Sequence, residues 1–411
     1  MLTGRDIIYI SSIEWTFLWQ VHQEIALRLA RAGNRVLYIE NMGVRSPGLK
    51  DASRIVSRLK HWAGSFMSRG VREVAPNLYV CSPLVMPPLG SLIRRQINRH
   101  ILLPAIARTV RRLGMRNVLV WTYLPTDSAV ELVKLFRNSL GASIYHCLAD
   151  FSALSATPDE LTQSEKDLVQ LSDQVFTNCS RLSERLCQWN DNVSIFPPGV
   201  DLAAFPPEGP LEQPVRSGDS VQFDSSEHAA QSGPVIGYVG GLHRHVDFDL
   251  LAEIADARPN WSWVLIGPFQ TSVEKLRGKD NVRLLGPKPH EQLVLYVRSF
   301  DVCLVPYVKS VYTETVVPAK LNEYLAVGKP VVATDLPTIR EFNDRHNVLI
   351  TTENRADKFL QAIEDALRLP NDSETIKRRR QVAALCDWNL QLIAMSDLIE
   401  QKLSEKGPSG C

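Results

Sequence analysis

The chain has no C-x-x-C pair. Its cysteines, Cys81, Cys147, Cys179, Cys187, Cys303, Cys386 and Cys411, are odd in number and scattered. That spacing disfavours a disulfide framework or a zinc site and fits a reducing cytosol. No apolar run approaches the roughly 18 residues that span a bilayer. The first residues, with Asp6 and Glu14, do not resemble a signal peptide. Excess charge is missing too: the net charge of +1 gives no global pull toward nucleic acid, and no reader motif is present. No cluster of residues has metal-ligand spacing, so neither a divalent ion nor a permanently bound cofactor is evident. The expected location is the cytoplasm, free or peripheral on the inner face of the cell membrane.

With 411 residues, the chain exceeds one ordinary core, and 45% hydrophobic against 22% charged residues is globular composition. Asp6–Ser12 reads as a strand, Trp15–Ala32 as a helix stopped by Gly33, and Val36–Glu40 as a second strand. This βαβ unit predicts a parallel sheet. The loop Ser11–Trp15 then lies at the carboxyl end of that sheet, where ligands bind. It lacks G-x-G-x-x-G, which disfavours a nicotinamide or flavin cofactor. Further strands are expected at 118–122, 143–147, 174–177 and 193–196, with helices at 127–136 and 158–171. Residues 206–233, rich in Pro, Gly, Ser, Asp and Gln, read as a flexible linker. A second alternating run follows, with strands at 235–239, 263–267, 282–286, 301–306, 331–334 and 348–351. Its helices are expected at 249–257, 291–299, 319–326 and 357–367, before a basic run at 377–380 and a last helix at 387–403. Two doubly wound α/β domains result: 1–205 and 234–384, with 385–411 as a tail helix.

The even net charge hides an asymmetry. Between Val44 and Arg116, 14 Lys and Arg stand against only Asp51 and Glu73. Residues 51–70 and 89–113 read as basic amphipathic helices, which can lie on an anionic membrane or pack on the sheet with a solvated basic rim.

The stretch Val316–Pro337 carries the strongest chemical signal. Pro318 opens a helix, Leu321, Tyr324 and Leu325 recur at helical spacing, Gly328 stops it, and Val331–Ala333 is a buried strand. Lys320 and Glu323 sit three apart beside the helix start, where free N–H groups favour an anion. Together they could hold the phosphates and ribose of a sugar nucleotide, or form a surface ion pair on an ordinary βα unit.

These segments together resemble the GT-B class of nucleotide-sugar glycosyltransferases, in particular the family-4-type group and its relatives in polysaccharide assembly. In the first half the resemblance rests on WQVHQEIALRLARAGNRVLYIEN (19–41), IYHCLADFSAL (144–154), SDQVFTNCSRLSERL (172–186) and FPPGVDLAAF (196–205). In the second it rests on VIGYVGGLHRHVDFDLL (235–251), WSWVLIGP (261–268), NVRLLGPKPHEQL (281–293), FDVCLVPY (300–307) and PAKLNEYLAVGKPVVATDLP (318–337). The resemblance implies an acceptor-binding N-terminal domain, a donor-binding C-terminal domain, a cleft between them and a tail helix that returns to the first. It places the ribose-binding glutamate at Glu323, diphosphate-facing amides at Val316, Val317 and Pro318, and a phosphate-binding lysine at Lys320. The nucleobase would lie against Gly286-Pro287-Lys288, with Tyr307 facing the same cleft and Gly240-Gly241 allowing close approach to the phosphates. His146 falls where retaining relatives place a histidine that contacts the donor sugar.

The chain departs from that pattern at two places. Thr315 stands where a first glutamate is usual, with Glu314 one residue out of register. Gly241 stands where an arginine is usual, with His243, Arg244 and His245 nearby. The stereochemical outcome is therefore open.

Transfer needs stabilisation of the leaving diphosphate, expected from Lys320 and secondarily Arg244, and for inversion a base. Asp150 is the candidate base, or else a helix N-cap. His146 is the donor-sugar candidate, or else a core histidine. Ser12, Glu14, Trp15 and His22 are acceptor-side candidates, with Trp19 as a second aromatic. The function expected is transfer of a hexosyl unit from a UDP- or GDP-sugar to a lipid-linked or polysaccharide acceptor in cell-surface polysaccharide biosynthesis. A sugar-nucleotide epimerase of the same fold, or a non-catalytic partner in a polysaccharide assembly complex, are the alternatives.

Overall fold

The computed structural model describes residues 1–40, 71–83, 92–136, 140–155, 157–209 and 233–406. Two compact units emerge: Met1–Pro197 with Gln391–Cys411, and Pro198–Leu390.

The first unit is built on eight strands in the order β3-β4-β2-β1-β5-β6-β7-β8. They are β1 Asp6–Ile10, β2 Arg35–Ile39, β3 Val71–Ala75, β4 Leu78–Cys81, β5 Val118–Thr122, β6 Leu140–Cys147, β7 Gln174–Thr177 and β8 Val193–Ile195. All neighbours run parallel except β3 and β4, an antiparallel hairpin. The inner strands are apolar along their length because helices cover both faces; β5 is buried throughout. Strand order reverses between β1 and β5, so the loops after them border the topological switch point.

The first helix differs from expectation. It runs Val21–Arg31, not from Trp15. Buried Gln23 decides the start: its Oε1 accepts from the Gln20 N–H (3.1 Å), and its Nε2 donates to Glu14 O (3.3 Å) and Leu18 O (3.1 Å). Trp15 and Trp19 therefore belong to the preceding loop. The β3–β4 hairpin and helix Ser180–Leu186 were not expected. The expected basic helix at 51–70 lies outside the described residues. In the other basic segment, helix begins at Leu92, passes through a π-helical stretch at Asn98–Leu102 and continues to Arg112. Its Leu103, Ile106 and Val110 are buried. Residues 391–406 close the unit, with Arg5 pairing Glu400 (2.7 Å) and Lys406 pairing Asp173 (2.7 Å).

The second unit has six parallel strands in the order β11-β10-β9-β12-β13-β14. These are β9 Val235–Val239, β10 Ser262–Ile266, β11 Val282–Gly286, β12 Val302–Val305, β13 Val331–Thr334 and β14 Ile350–Thr352. The switch point lies between β9 and β12. Helix Lys320–Val327 ends on Gly328 at φ +85°, the αL stop that the glycine foretold. Helices Pro337–His346 and Ser373–Ala384 had not been expected.

The second of these helices absorbs the basic run. Buried Arg379 donates to Gly328 O (2.9 Å), and Arg380 donates to Ala326 O (2.7 Å), Phe205 O (3.0 Å) and Leu202 O (2.9 Å). The bonds to Ala326 and Gly328 satisfy orphan carbonyls of a helix end, and those to Leu202 and Phe205 tie the turn at 201–205 to it. Residues 198–205, placed with the first domain from sequence, belong to the second unit, since Val200 and Phe205 are buried in its core. Most of the expected linker, 210–232, lies outside the described residues.

Candidate functional site

At the second unit's switch point the loops are zipped together by backbone bonds. Gly240 N donates to Ile266 O (2.8 Å), Leu242 N to Pro268 O (2.9 Å), Asp247 N to Pro306 O (2.8 Å) and Val308 N to His245 O (2.9 Å). Gly240 has φ +134°, and a Cβ there would stand 2.6 Å from Lys320 Nζ. Gly267 backs it at φ +149°, where a Cβ would lie 2.0 Å from Gly240 O. Glycine at 240 thus makes room for the lysine.

Lys320 occupies that room. Its Nζ donates to Tyr238 Oη (2.7 Å) and Tyr307 Oη (3.0 Å) and lies 4.0 Å and 5.1 Å from the centroids of the same rings. The Tyr238 hydroxyl donates in turn to Gly241 O (3.0 Å). Rings and phenol oxygens together hold a cation in place. Among the described residues, two of the three ammonium donors are engaged, and the third is left for an oxygen ligand. Lys320, Gly240, Gly241 and Tyr307, expected as site residues, come together here. Tyr238 was missed, although a tyrosine two residues before a glycine pair in an aliphatic strand was a usable signal.

One helical turn along, the Glu323 carboxylate stands 3.4 Å from Nε2 of His290, whose ring packs edge-on to Phe205. His290 was also missed. Both side chains are half-buried. Val316 and Val317 are half-buried, and Val316 O accepts from Thr338 Oγ1 (2.6 Å). Thr315 is buried and donates to Tyr312 O (3.1 Å), while Glu314 is half-buried. No carboxylate therefore stands at the position of Thr315.

The neighbouring candidates are arranged differently. Arg244 is exposed, with Nε 3.4 Å from His245 Nε2. His243, considered as a replacement cation, is driven down to about 3, first by burial and then by Lys320. It is neutral at physiological pH and supplies no positive charge. Gly286 O accepts from Gly267 N (2.8 Å), Pro287 is exposed, and the Lys288 ammonium leans on Tyr296, 5.4 Å from the ring centroid.

At the first unit's switch point the imidazoles are neutral. His146, at the end of β6, is buried against Tyr123 (4.8 Å between ring centroids), Phe176 (5.8 Å) and Trp121 (6.0 Å). Neither of its ring nitrogens has a partner among the described residues. Each such nitrogen costs about 1–3 kcal/mol unless a ligand meets it. His22 lies on the same Tyr123 ring, 4.0 Å between centroids, and its nitrogens reach Ser11 Oγ (3.1 Å) and Ser12 Oγ (3.4 Å). Both imidazoles are pushed to about 3 by burial, His146 additionally by His22. Tyr9 and Tyr123 share a hydroxyl contact of 2.6 Å. Trp15 packs edge-on to Tyr38 and Trp19, and its backbone N–H donates to Glu40 Oε2 (2.6 Å). Glu14 contributes its carbonyl to Gln23 (3.3 Å) and is half-buried.

Asp150 is placed otherwise than a base requires. Its Oδ1 accepts from the Ser152 N–H (3.0 Å) and hydroxyl (2.5 Å) and lies 3.5 Å from Arg185 Nη1. The same arginine pairs with buried Glu165 (2.9 Å), which also accepts from Tyr145 (2.7 Å). Burial raises the Glu165 carboxyl against the pull of Arg185. This is the setting of an anchoring carboxylate; the helix N-cap weighed for Asp150 from sequence falls instead on Phe151, before the short helix Ser152–Leu154. Glu165 and Arg185 had not been singled out, because ordinary helix positions conceal their pairing.

Comparisons with known proteins bear on the fold and the second unit's segment. Residues 233–368 match the model of the family described as Glycosyl transferases group 1. The match lies within the second unit, and the whole chain has the fold of GT-B glycosyltransferases. TuaH of Bacillus subtilis, named as a teichuronic acid biosynthesis glycosyltransferase, is 31% identical over 186 residues. That match covers 44% of this chain and 47% of TuaH, about half of each. Among solved structures, sucrose-phosphate synthase from Thermosynechococcus elongatus superposes with TM-score 0.68 at 18% identity, over 98% of this chain and 100% of that one. Anabaena HepE, solved in complex with UDP, superposes with TM-score 0.61 at 14% identity, over 97% and 100%. Among the described residues no group of three or more His, Cys, Asp or Glu is placed to hold a metal ion. None of the described helices is long and apolar enough to cross a membrane.

Proposed function

We propose that this protein is a hexosyltransferase that takes a sugar from a UDP- or GDP-sugar and passes it to a lipid-linked or polysaccharide acceptor. The observation that carries this reading is Lys320, seated over Gly240 at the start of a helix within the group 1 segment. A fixed ammonium at a helix start is what a leaving diphosphate requires, and it is organised before the reaction begins. Glu323 takes the ribose hydroxyls and His290 orients it. The nucleobase lies against Gly286–Lys288 and the sugar meets His146. Ser12, Glu14, Trp15 and His22 serve the acceptor. The teichuronic acid biosynthesis for which TuaH is named and the UDP bound by HepE support the polymer and the nucleotide in this reading.

Calorimetric titration with UDP, GDP and ADP tests it. Binding of one diphosphate is expected, followed by its release from the matching sugar nucleotide when a membrane extract supplies acceptor. Binding of none would remove the reading.

Membrane association in this proposal is electrostatic. The apolar face of helix Leu103–Arg112 is buried, leaving Arg108 and Arg111 exposed, whereas Arg95 pairs with Asp127 (3.1 Å) and Arg99 with Glu131 (3.3 Å). Flotation with anionic vesicles is expected at low salt and lost at high salt, because such attraction is screened.

A further inference from the structure

The polar groups at the end of β1 form a chain whose protons can be assigned by counting lone pairs. Ser11 Oγ accepts from the Ile13 N–H (3.0 Å) and from the Tyr38 hydroxyl (2.6 Å). Tyr38 also lies 3.1 Å from Ile13 O, and the shorter contact takes its proton. A hydroxyl oxygen has two lone pairs, and both are then used. His22 Nδ1, 3.1 Å away, cannot donate to that oxygen and must accept from it. The other outlet for the Ser11 proton is Ile13 O, at 3.0 Å. Using it would leave a buried ring nitrogen unpaired, at a cost that the bond to His22 avoids. The imidazole proton therefore resides on Nε2, which stands 3.4 Å from Ser12 Oγ. His22 is buried and Ser12 is half-exposed, so the chain leads from the interior outward.

We infer that Tyr38 and Ser11 are positioning residues that lock His22 as its Nε2–H tautomer. The relay Tyr38, Ser11, His22, Ser12 then runs one way and ends on the Ser12 hydroxyl proton, offered to an oxygen of the acceptor substrate. Each bond in the series polarises the next, which strengthens the last donor. A site of this kind presents a donor to a lone-pair oxygen. It also makes His22 a donor at its outer nitrogen, not a general base. Only the word "acceptor" rests on the function proposed above; the tautomer stands apart from it.

Long-range proton–nitrogen correlation spectra of the full chain, with ¹⁵N-labelled histidine, test the lock directly. The His22 signal, assigned with His22→Gln, is expected to show an unprotonated Nδ1 and a protonated Nε2 from pH 6 to 8. An Nδ1–H pattern, or averaging between tautomers, would overturn the inference. In Tyr38→Phe one lone pair on Ser11 is released, and the His22 pattern is expected to become mixed. An unchanged pattern would mean that Tyr38 only fills space. If that variant does not fold, Ser11→Ala carries the same reading. With transfer activity in hand, Ser12→Ala should raise the acceptor KM about tenfold, Ser12→Thr should restore it, and the donor KM should not move. A locked His22 in a protein that binds no nucleotide would remove the transferase reading and leave the relay standing.

Discussion

Between β9 and β12 an ammonium is gripped by two phenols and stands one helical turn from a carboxylate. Between β1 and β5 two neutral imidazoles flank a tyrosine ring among serine and tyrosine hydroxyls. The same topological opening is thus furnished in opposite ways. The second unit offers permanent charge, suited to a diphosphate. The first offers neutral imidazoles and hydroxyl dipoles, with the carboxylates of Glu14 and Glu40 in the adjoining loops, suited to orienting hydroxyl-bearing groups. Burial enforces this split: the imidazoles that could carry charge are held neutral by desolvation, while Lys320 has oxygen and π partners.

The largest effect should come from the ion pair beneath the neutral site. Arg185→Leu strands Glu165 in the interior, and a loss of about 3 kcal/mol is expected, the low end for a broken buried pair because Tyr145 still donates. Chemical unfolding checks it, and the first unit should be the one that loosens. An undiminished stability would mean that the anchor under the neutral site is dispensable.

Next is the charged site itself. Lys320→Met should weaken the diphosphate that binds by about 10–100-fold, the range for a charged hydrogen bond, with little change in thermal midpoint. Equal affinity in titration calorimetry would erase the contrast between the units.

The neutral histidines make a pH test. Their folded values of about 3 lie below the ordinary histidine value of 6.5. Above that value neither folded nor unfolded chain is protonated there, so they add no pH dependence. As pH falls from about 6.5 toward 3, the unfolded chain takes up protons that the folded one refuses, and stability drops by about 1.4 kcal/mol per pH unit for each histidine. Glu165, shifted upward, acts in the opposite sense. Among the described residues, His22 and His146 of the first unit and His243 of the second are pushed to about 3, and burial also lowers His346 of the second. His146→Phe should flatten the stability–pH slope below pH 6 by one histidine's share, measured by urea titration at several pH values. An unaltered slope would show that His146 is not held neutral.

The smallest effect belongs to His290. His290→Ala should lower nucleotide affinity about threefold, since it removes only a neighbour of Glu323 and a partly exposed pair is weak. A loss as large as that of Lys320→Met would shift the weight of the charged site toward Glu323.

Much of the scaffold was legible because parallel strands buried on both faces read as apolar runs, and Gly328 and Pro318 bracket their helix as expected. The start of the first helix was not, because Gln23 reaches back along the chain and pins Trp15–Trp19 outside it. Lys320, Glu323, His22 and Ser12 were visible as candidates by their place at strand ends and a helix start. Tyr238, His290, Arg185 and Glu165 were not, since each acquires meaning only from a partner far along the chain. Asp150 shows the same limit: its carboxylate looked available until Arg185 was brought beside it.

By itself the sequence determined the two-sheet plan and the place of the donor segment, because hydrophobic period and glycine punctuation are local properties. The tertiary structure alone decided which of those residues are charged, paired or neutral. Burial and the identity of the neighbour set protonation and hydrogen bonding, and both are properties of packed chains rather than of intervals along one.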